Sequence, residues 1–420
     1  MGGSGVQRPV KFAKYLKKFG WEPVVLAPEP DIYHTFDDSL TNELKKASVR
    51  VERVKNSKLL KAGKKSLNPS YQKPWKGSLL KWLTSWFFLP DNKKGWIESA
   101  VARSIEIVRS ESISAVFSTA PPYSNLIAAK KIKEETGLPV IMDLRDDWLE
   151  SHLIHYPTRW HYKKMKQLEF STLTSADHIT VVNSYYRSKI QNRLGEMCPE
   201  ISVIPNGFDK ENFEAANSET DSSVFTILYS GIFYGSRKPD WFLKSVKKVM
   251  DINSDFKNHI QLKFQGGLND NHWKTIEKLG LTKYVADLGY LGHQEAVQNV
   301  VNADVLWLTL GERKYNDAVT PGKVFEYMGS LKPILAFIPD GETRTLLDNY
   351  GASRYVDITD SDSGAEAIET FYDQWKKGEL PVGNQNFVQS FERAYLTEQL
   401  AAILSKLTEE NRAEADKRSI

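Results

Sequence analysis

Four hundred and twenty residues exceed what one hydrophobic core organises, so two domains are expected, and a single cysteine, Cys198, excludes any internal disulfide and fits a reducing compartment. Apolar residues make up 41% and charged residues 26%, an ordinary balance for a globular enzyme, and no run of about 18 apolar residues is present to span a bilayer. The net charge of +3 hides a segregation: from Arg53 to Lys94 eleven Lys or Arg stand against one acid, Asp91, so that window carries +10 and the rest −7.

The chain opens on Met1 and Gly2-Gly3-Ser4-Gly5, without the basic stretch and apolar run of a secretory signal. An amphipathic helix follows over Val6–Phe19, with Pro9 in its first turn and Gly20 just past its end. Small residues before a helix N-terminus let backbone amides approach an anion, which makes Gly3 and Gly5 candidate phosphate contacts; a plain flexible linker is the alternative. A doubly wound domain begins with a strand ahead of such a loop, and the pattern predicts that this strand lies upstream of Met1.

Short apolar runs then alternate with helical periodicity, the signature of parallel sheets built from βαβ units. Strands are predicted at Val24–Ala27, Val49–Val54, Ala115–Thr119, Val140–Leu144, Ile179–Val182 and Ile201–Ile204, with helices at Trp96–Val108 and Asn125–Glu135. Inside the basic window 53–94, Leu79, Trp82, Leu83, Trp86 and Phe87 share one helical face. Such a face flanked by lysines suits a membrane interface with anionic lipids, or equally the domain's own core. Nucleic acid is a poor partner, because no recognised module appears and the aromatics follow helical spacing.

At the carboxyl end of the apolar strand Pro139–Met142 stands Asp143-Leu144-Arg145-Asp146-Asp147-Trp148. Three carboxylates and an arginine at a strand end suit either a structural ion pair or, through Arg145 and Asp146, contact with a polar substrate and its developing charge. Pro205-Asn206-Gly207 is a turn between two series of elements. The expected domains are therefore 1–205, 206–385, and a terminal crossover helix with polar tail, 386–420. In the tail Leu396, Leu400, Ile403, Leu404 and Leu407 recur at helical spacing and need a partner surface on the first domain.

The second series runs through Phe225–Tyr229, Gln261–Phe264, Val305–Leu308, Pro333–Phe337 and Arg354–Val356. Gly231-Ile232-Phe233-Tyr234-Gly235-Ser236-Arg237-Lys238 follows its first strand, and adjacent cations on a glycine-bearing loop suit a diphosphate leaving group or a solvated turn. In Thr320-Pro321-Gly322-Lys323-Val324-Phe325-Glu326, Pro and Gly precede a helix with free amides, and Glu326 one turn in suits two ribose hydroxyls; a surface Lys323–Glu326 pair is the alternative. Asp360-Ser361-Asp362 is an isolated D-x-D, a poor signal for a metal. Two α/β doubly wound domains facing a cleft follow, with ligands at the carboxyl ends of the strands.

In this order and spacing, the motifs at residues 2–8, 143–148, 203–209, 237–238 and 321–327 resemble the family-four retaining glycosyltransferases over nearly the whole chain. The resemblance implies a GT-B fold that moves a sugar from a nucleotide diphosphate, without metal or other cofactor, onto a glycan or lipid-linked acceptor; with the membrane reading of 53–94, that acceptor is a polyprenyl-linked sugar, and the protein is expected in the cytoplasm or at the inner membrane face. It implies that Lys238 and Arg237 meet the diphosphate, that Glu326 binds the ribose, that the glycine loop lies near the phosphates, and that Arg145 and Asp146 approach the transferred sugar. Two positions depart from the family pattern: Ala318 stands where many relatives carry a glutamate eight before Glu326, and Ile232 where many carry an arginine. A sugar-nucleotide epimerase and a non-catalytic nucleotide-sugar-binding scaffold are the competing functions.

Overall fold

The structure, a computed structural model, describes residues 4–29, 38–55, 89–150, 156–216, 223–312 and 315–418. Gly3 and the proposed membrane face at 79–87 lie outside these residues. The chain divides into one unit of residues 1–205 with 394–420 and a second of residues 206–393.

The first unit holds two parallel sheets. Val24–Pro28 (β1) pairs with Arg50–Val54 (β2). Val116–Ala120 (β3), Val140–Leu144 (β4), His178–Val181 (β5) and Glu200–Val203 (β6) pair in sequence order. β4 is wholly buried, as an apolar run covered on both faces must be. Alternation along β3 sends Val116 and Phe117 to opposite sides. Phe117 meets Phe12 and Leu16 of the helix Ser4–Leu16 together with Leu396, Leu400 and Leu404 of the terminal helix Arg393–Arg418. Val116 meets Ala100 and Val101 of Ile97–Ser110 and Ala128 and Ile132 of Ser124–Thr136.

Among the described strands β1 pairs only with β2 and β3 only with β4. Both strands line one cavity of about 690 Å³, through Val24 and Leu26 on one side and Phe117 and Thr119 on the other.

The second unit is one six-stranded parallel sheet: Phe225–Ser230 (β7), Ile260–Gln265 (β8), Val285–Gly289 (β9), Val305–Thr309 (β10), Ile334–Phe337 (β11) and Ser353–Val356 (β12). Their spatial order is β12-β11-β10-β7-β8-β9. β9, partly exposed along its length, has no counterpart among the strands read from the sequence. The order reverses between β7 and β10, and an open α/β sheet places its ligand crevice outside the carboxyl ends at such a reversal. Ile227 and Tyr229 point into one core with Phe242, Trp307 and Phe337, while Leu228 points into the other with Leu306, Val324 and Met328. Residues 386–393, read from the sequence with the terminal helix, contribute Val388 and Phe391 to this second core instead.

Among the described residues no helix is long and apolar enough to cross a membrane.

Candidate functional site

In the first unit the strand-end motif divides by role. Asp143 is fully buried and accepts hydrogen bonds from Arg8 Nε (3.1 Å) and Nη2 (2.8 Å), Thr119 Oγ1 (2.7 Å) and Thr180 Oγ1 (2.7 Å). Burial alone would raise its carboxyl, but the Arg8 guanidinium and the two hydroxyls hold it below the usual aspartate value. Arg8 also donates to the carbonyls of Ile204 (2.8 Å) and Pro205 (2.7 Å), so this pair ties the first helix to the last strand of its unit. Asp147 caps the turn after it, accepting from the amides of Leu149 and Glu150, and meets Arg193 at 2.8 Å, which also holds the buried Glu169. These two acids are structural.

Arg145 is held by backbone. Its guanidinium donates to the carbonyls of Ala120 (3.2 Å), Pro121 and Gly5. Burial lowers its affinity for its proton, with Asp143 and Asp146 opposing. Arg145 and Gly5 are thus brought together: a Cβ at Gly5 would lie 2.6 Å from Arg145 Nη1. The motif sets the start of the helix Ser4–Leu16 against the carboxyl ends of β3 and β4. Asp146 is half-buried beside it.

The second unit gathers more. Each of the central strands β7, β8 and β10 runs into a glycine within two residues of its end: Gly231, Gly266 and Gly311. All three have positive φ (+130°, +120° and +73°), and each is closely approached. A Cβ on Gly231 would stand 2.5 Å from Lys323 Nζ, and one on Gly311 would stand 2.8 Å from Ser236 Oγ and the Arg237 amide nitrogen. Backbone therefore replaces side chains where the strand order reverses.

Lys323 comes from the helix Gly322–Gly329, preceded by Pro321 in extended conformation. Val324, Phe325 and Met328 pin that helix to the core. Tyr327 fixes its height, accepting from Ser230 N (2.7 Å) and donating to Trp307 O (3.2 Å). The result places Lys323 Nζ 4.1 Å above the Tyr229 ring, enclosed and without a hydrogen-bond partner among the described residues. Burial first, then the Arg237 charge, lowers the ammonium to about 7, with Glu326 opposing. Arg237 is steadied by the Leu310 carbonyl (3.2 Å) and the Tyr234 ring (4.5 Å). Ser236 Oγ is likewise enclosed and unpartnered.

A buried ammonium and hydroxyl without partners mark a place built for a polar ligand, since proteins rarely leave such groups unsatisfied. Two cations beside exposed backbone suit an anion with several oxygens. Of the sequence-predicted residues, Arg237, Lys323 and Glu326 interact here; Lys238 is exposed on the same loop, and Gly322 is exposed at the helix start. Gly231 and Ser236 belong to the loop that the sequence marks as suited to a diphosphate, whereas Tyr229, Gly266 and Gly311 lie outside every marked motif. A glycine just beyond an apolar strand was the available signal for the last two. Asp360 caps the helix Ser361–Lys377 by accepting from the amides of Asp362 and Ser363, and Asp362 pairs with Lys248.

Residues 5–212 match the family described as Glycosyltransferase Family 4. Among curated proteins, the "Putative teichuronic acid biosynthesis glycosyltransferase TuaH" of Bacillus subtilis strain 168 is 23% identical over 203 residues. That match takes in 47% of this chain and 49% of TuaH, so the chain spans about half the length of the curated relative it matches. Among solved structures, HepE of Anabaena in complex with UDP and glucose superposes with a TM-score of 0.64 at 15% identity over 96% of both chains. A glycosyltransferase of Rickettsia africae ESF-5 gives 0.60 at 14% over 96% and 95%, and the sucrose-phosphate synthase of Thermosynechococcus elongatus 0.58 at 12% over 94% and 92%. At these identities the structures speak for the fold, which is GT-B: two Rossmann-like domains built on parallel sheets.

Proposed function

We propose that the protein, whose residues 5–212 match Glycosyltransferase Family 4 in a chain of GT-B fold, is a retaining glycosyltransferase acting in cell-surface polysaccharide assembly. It takes a sugar from a nucleotide-diphosphate donor and passes it to a glycan or polyprenyl-linked acceptor. The observation that carries this reading is the unpartnered Lys323 ammonium beside Arg237 at the strand-order reversal of the second unit.

In this reading the donor's diphosphate lies over Gly231 and Gly311, met by Lys323 and Arg237 with Lys238 at the rim. Glu326, one helical turn from Lys323, accepts from the ribose hydroxyls. The cations stabilise the charge that grows on the diphosphate as the bond to the sugar breaks. Arg145 and Asp146 act at the sugar through the first unit, with Arg145 holding Gly5 in place beside it. The reaction uses no metal, and a front-face displacement retains the configuration of the transferred sugar. That HepE was solved with UDP and glucose, and TuaH named for teichuronic acid, accords with such a donor and product class. The +10 window 53–94 supports an acceptor carried at an anionic membrane surface on the cytoplasmic side.

Incubation with a nucleotide sugar, with and without a lipid-linked acceptor, tests the reaction. Free nucleoside diphosphate released only with acceptor, and a product whose anomeric proton coupling matches the donor's, is expected. An isomerised nucleotide sugar without acceptor would make the protein an epimerase, and binding without turnover a scaffold.

A further inference from the structure

Lys323 is placed where an ammonium finds no hydrogen-bond acceptor among the described residues. Its Nζ is enclosed above the Tyr229 ring, against the notch that Gly231 leaves, with no carboxylate or carbonyl bonded to it among the described residues. The charged groups acting on it are Arg237, from the loop after β7, which repels an ammonium, and Glu326, on its own helix, which favours one without forming an ion pair with it. Tyr229 from β7 presents its ring face. An enclosed amine so placed is stable either uncharged, or charged with an anion beside it.

We propose that Lys323 couples nucleotide binding to proton uptake: it is neutral in the empty site and takes one proton from solvent as the diphosphate arrives, so that charge enters the pocket only in company. The proposal rests on the donor site assigned above and adds the protonation step to it. The balance is simple. The –NH2 of Lys323 gains a proton released by buffer, the new –NH3+ donates to a diphosphate oxygen, and no covalent bond to the nucleotide forms or breaks. The neutral amine also leaves Arg237 unopposed in the empty site, ready to meet the anion first. Burial favours the neutral form above about pH 7, and an anion reverses that preference. Ser236 Oγ, enclosed and unpartnered, is a second group that such a ligand satisfies.

The test is calorimetric titration of the full chain with UDP, GDP, ADP and dTDP at pH 8, in phosphate and in Tris, whose ionisation enthalpies differ. For the nucleotide that binds, close to one proton should be taken up per molecule. Affinity should fall roughly tenfold or more between pH 7.5 and pH 9, as tenfold per pH unit above the free group's value requires. Lys323→Met, checked for cooperative melting, should bind more weakly and without uptake. Lys323→Arg, charged at every pH used, should bind with neither uptake nor pH dependence. Binding by the unaltered chain without proton uptake, or uptake that persists in Lys323→Met, overturns the proposal while leaving the donor site standing. No binding of any of the four nucleotides removes the donor site and this inference together.

Discussion

At the residue scale, the two buried charges that matter most have opposite fates. Asp143 is surrounded by donors, and Asp143→Ala would leave Arg8 buried with half its partners gone. A loss of about 3–5 kcal/mol is expected, read as a lowered urea midpoint by circular dichroism. Lys323 has no such company. Burial lowers its ammonium to about 7 in the folded chain, below the ordinary lysine value, so between roughly pH 7 and pH 10 the unfolded chain holds a proton that the folded chain lacks. Stability due to this group therefore rises with pH through that window and is lost as pH falls through 7. Without nucleotide, Lys323→Met should melt about 3 °C or more above the unaltered chain at pH 6.5, and the gap should close toward pH 10. A gap that widens with pH would contradict the burial described. Sequence alone marks Lys323 through Pro321-Gly322-Lys323, but its lack of a partner depends on Tyr229 and Gly231, which lie roughly ninety positions away.

At the scale of elements, the site is legible where a local pattern makes it. β7 and β10 read as apolar runs because both faces are buried, and Glu326 is visible because a helix follows Pro321. β9 is not legible: Val285-Ala286-Asp287-Leu288-Gly289 is an edge strand whose aspartate breaks the pattern. Residues 386–393 misread for a related reason, since Asn384 caps a separate helix, Gln385–Gln389, before the terminal one begins. The strand-end motif 143–148 reads equally well as ion pair or substrate contact, and the fold uses Asp143 and Asp147 for the former through Arg8 and Arg193, partners 135 and 46 positions distant. The glycine convergence is topological and follows only from the strand order. It yields a sharp comparison. Gly311→Ala would press on the Ser236–Arg237 backbone and should weaken nucleotide binding roughly ten- to a hundredfold. Gly267→Ala, equally at positive φ (+89°) but in open space, should cost stability and leave affinity unchanged. Equal affinities in calorimetric titration would remove the Gly311 notch from the site.

At the scale of the whole molecule, both units are built on parallel pairing, two sheets in the first and one in the second. The second unit's order is the doubly wound one, and its ligand crevice follows from the reversal between β7 and β10. In the first unit the same order would put one more strand between β1 and β3, where the 690 Å³ cavity lies, lined by helices from both faces through Phe12 and Ala128. The helix Ser4–Leu16 starts at the carboxyl ends of β3 and β4, as a crossover helix fed by such a strand does. The central claim is that the second unit holds the donor at its strand-order reversal. Hydrogen–deuterium exchange of the full chain, with and without whichever of UDP, GDP, ADP or dTDP raises its melting temperature, tests that claim most directly. Protection at residues 229–237, 310–311 and 321–328 is the result expected, and protection confined to the first unit, with these segments unchanged, would contradict it.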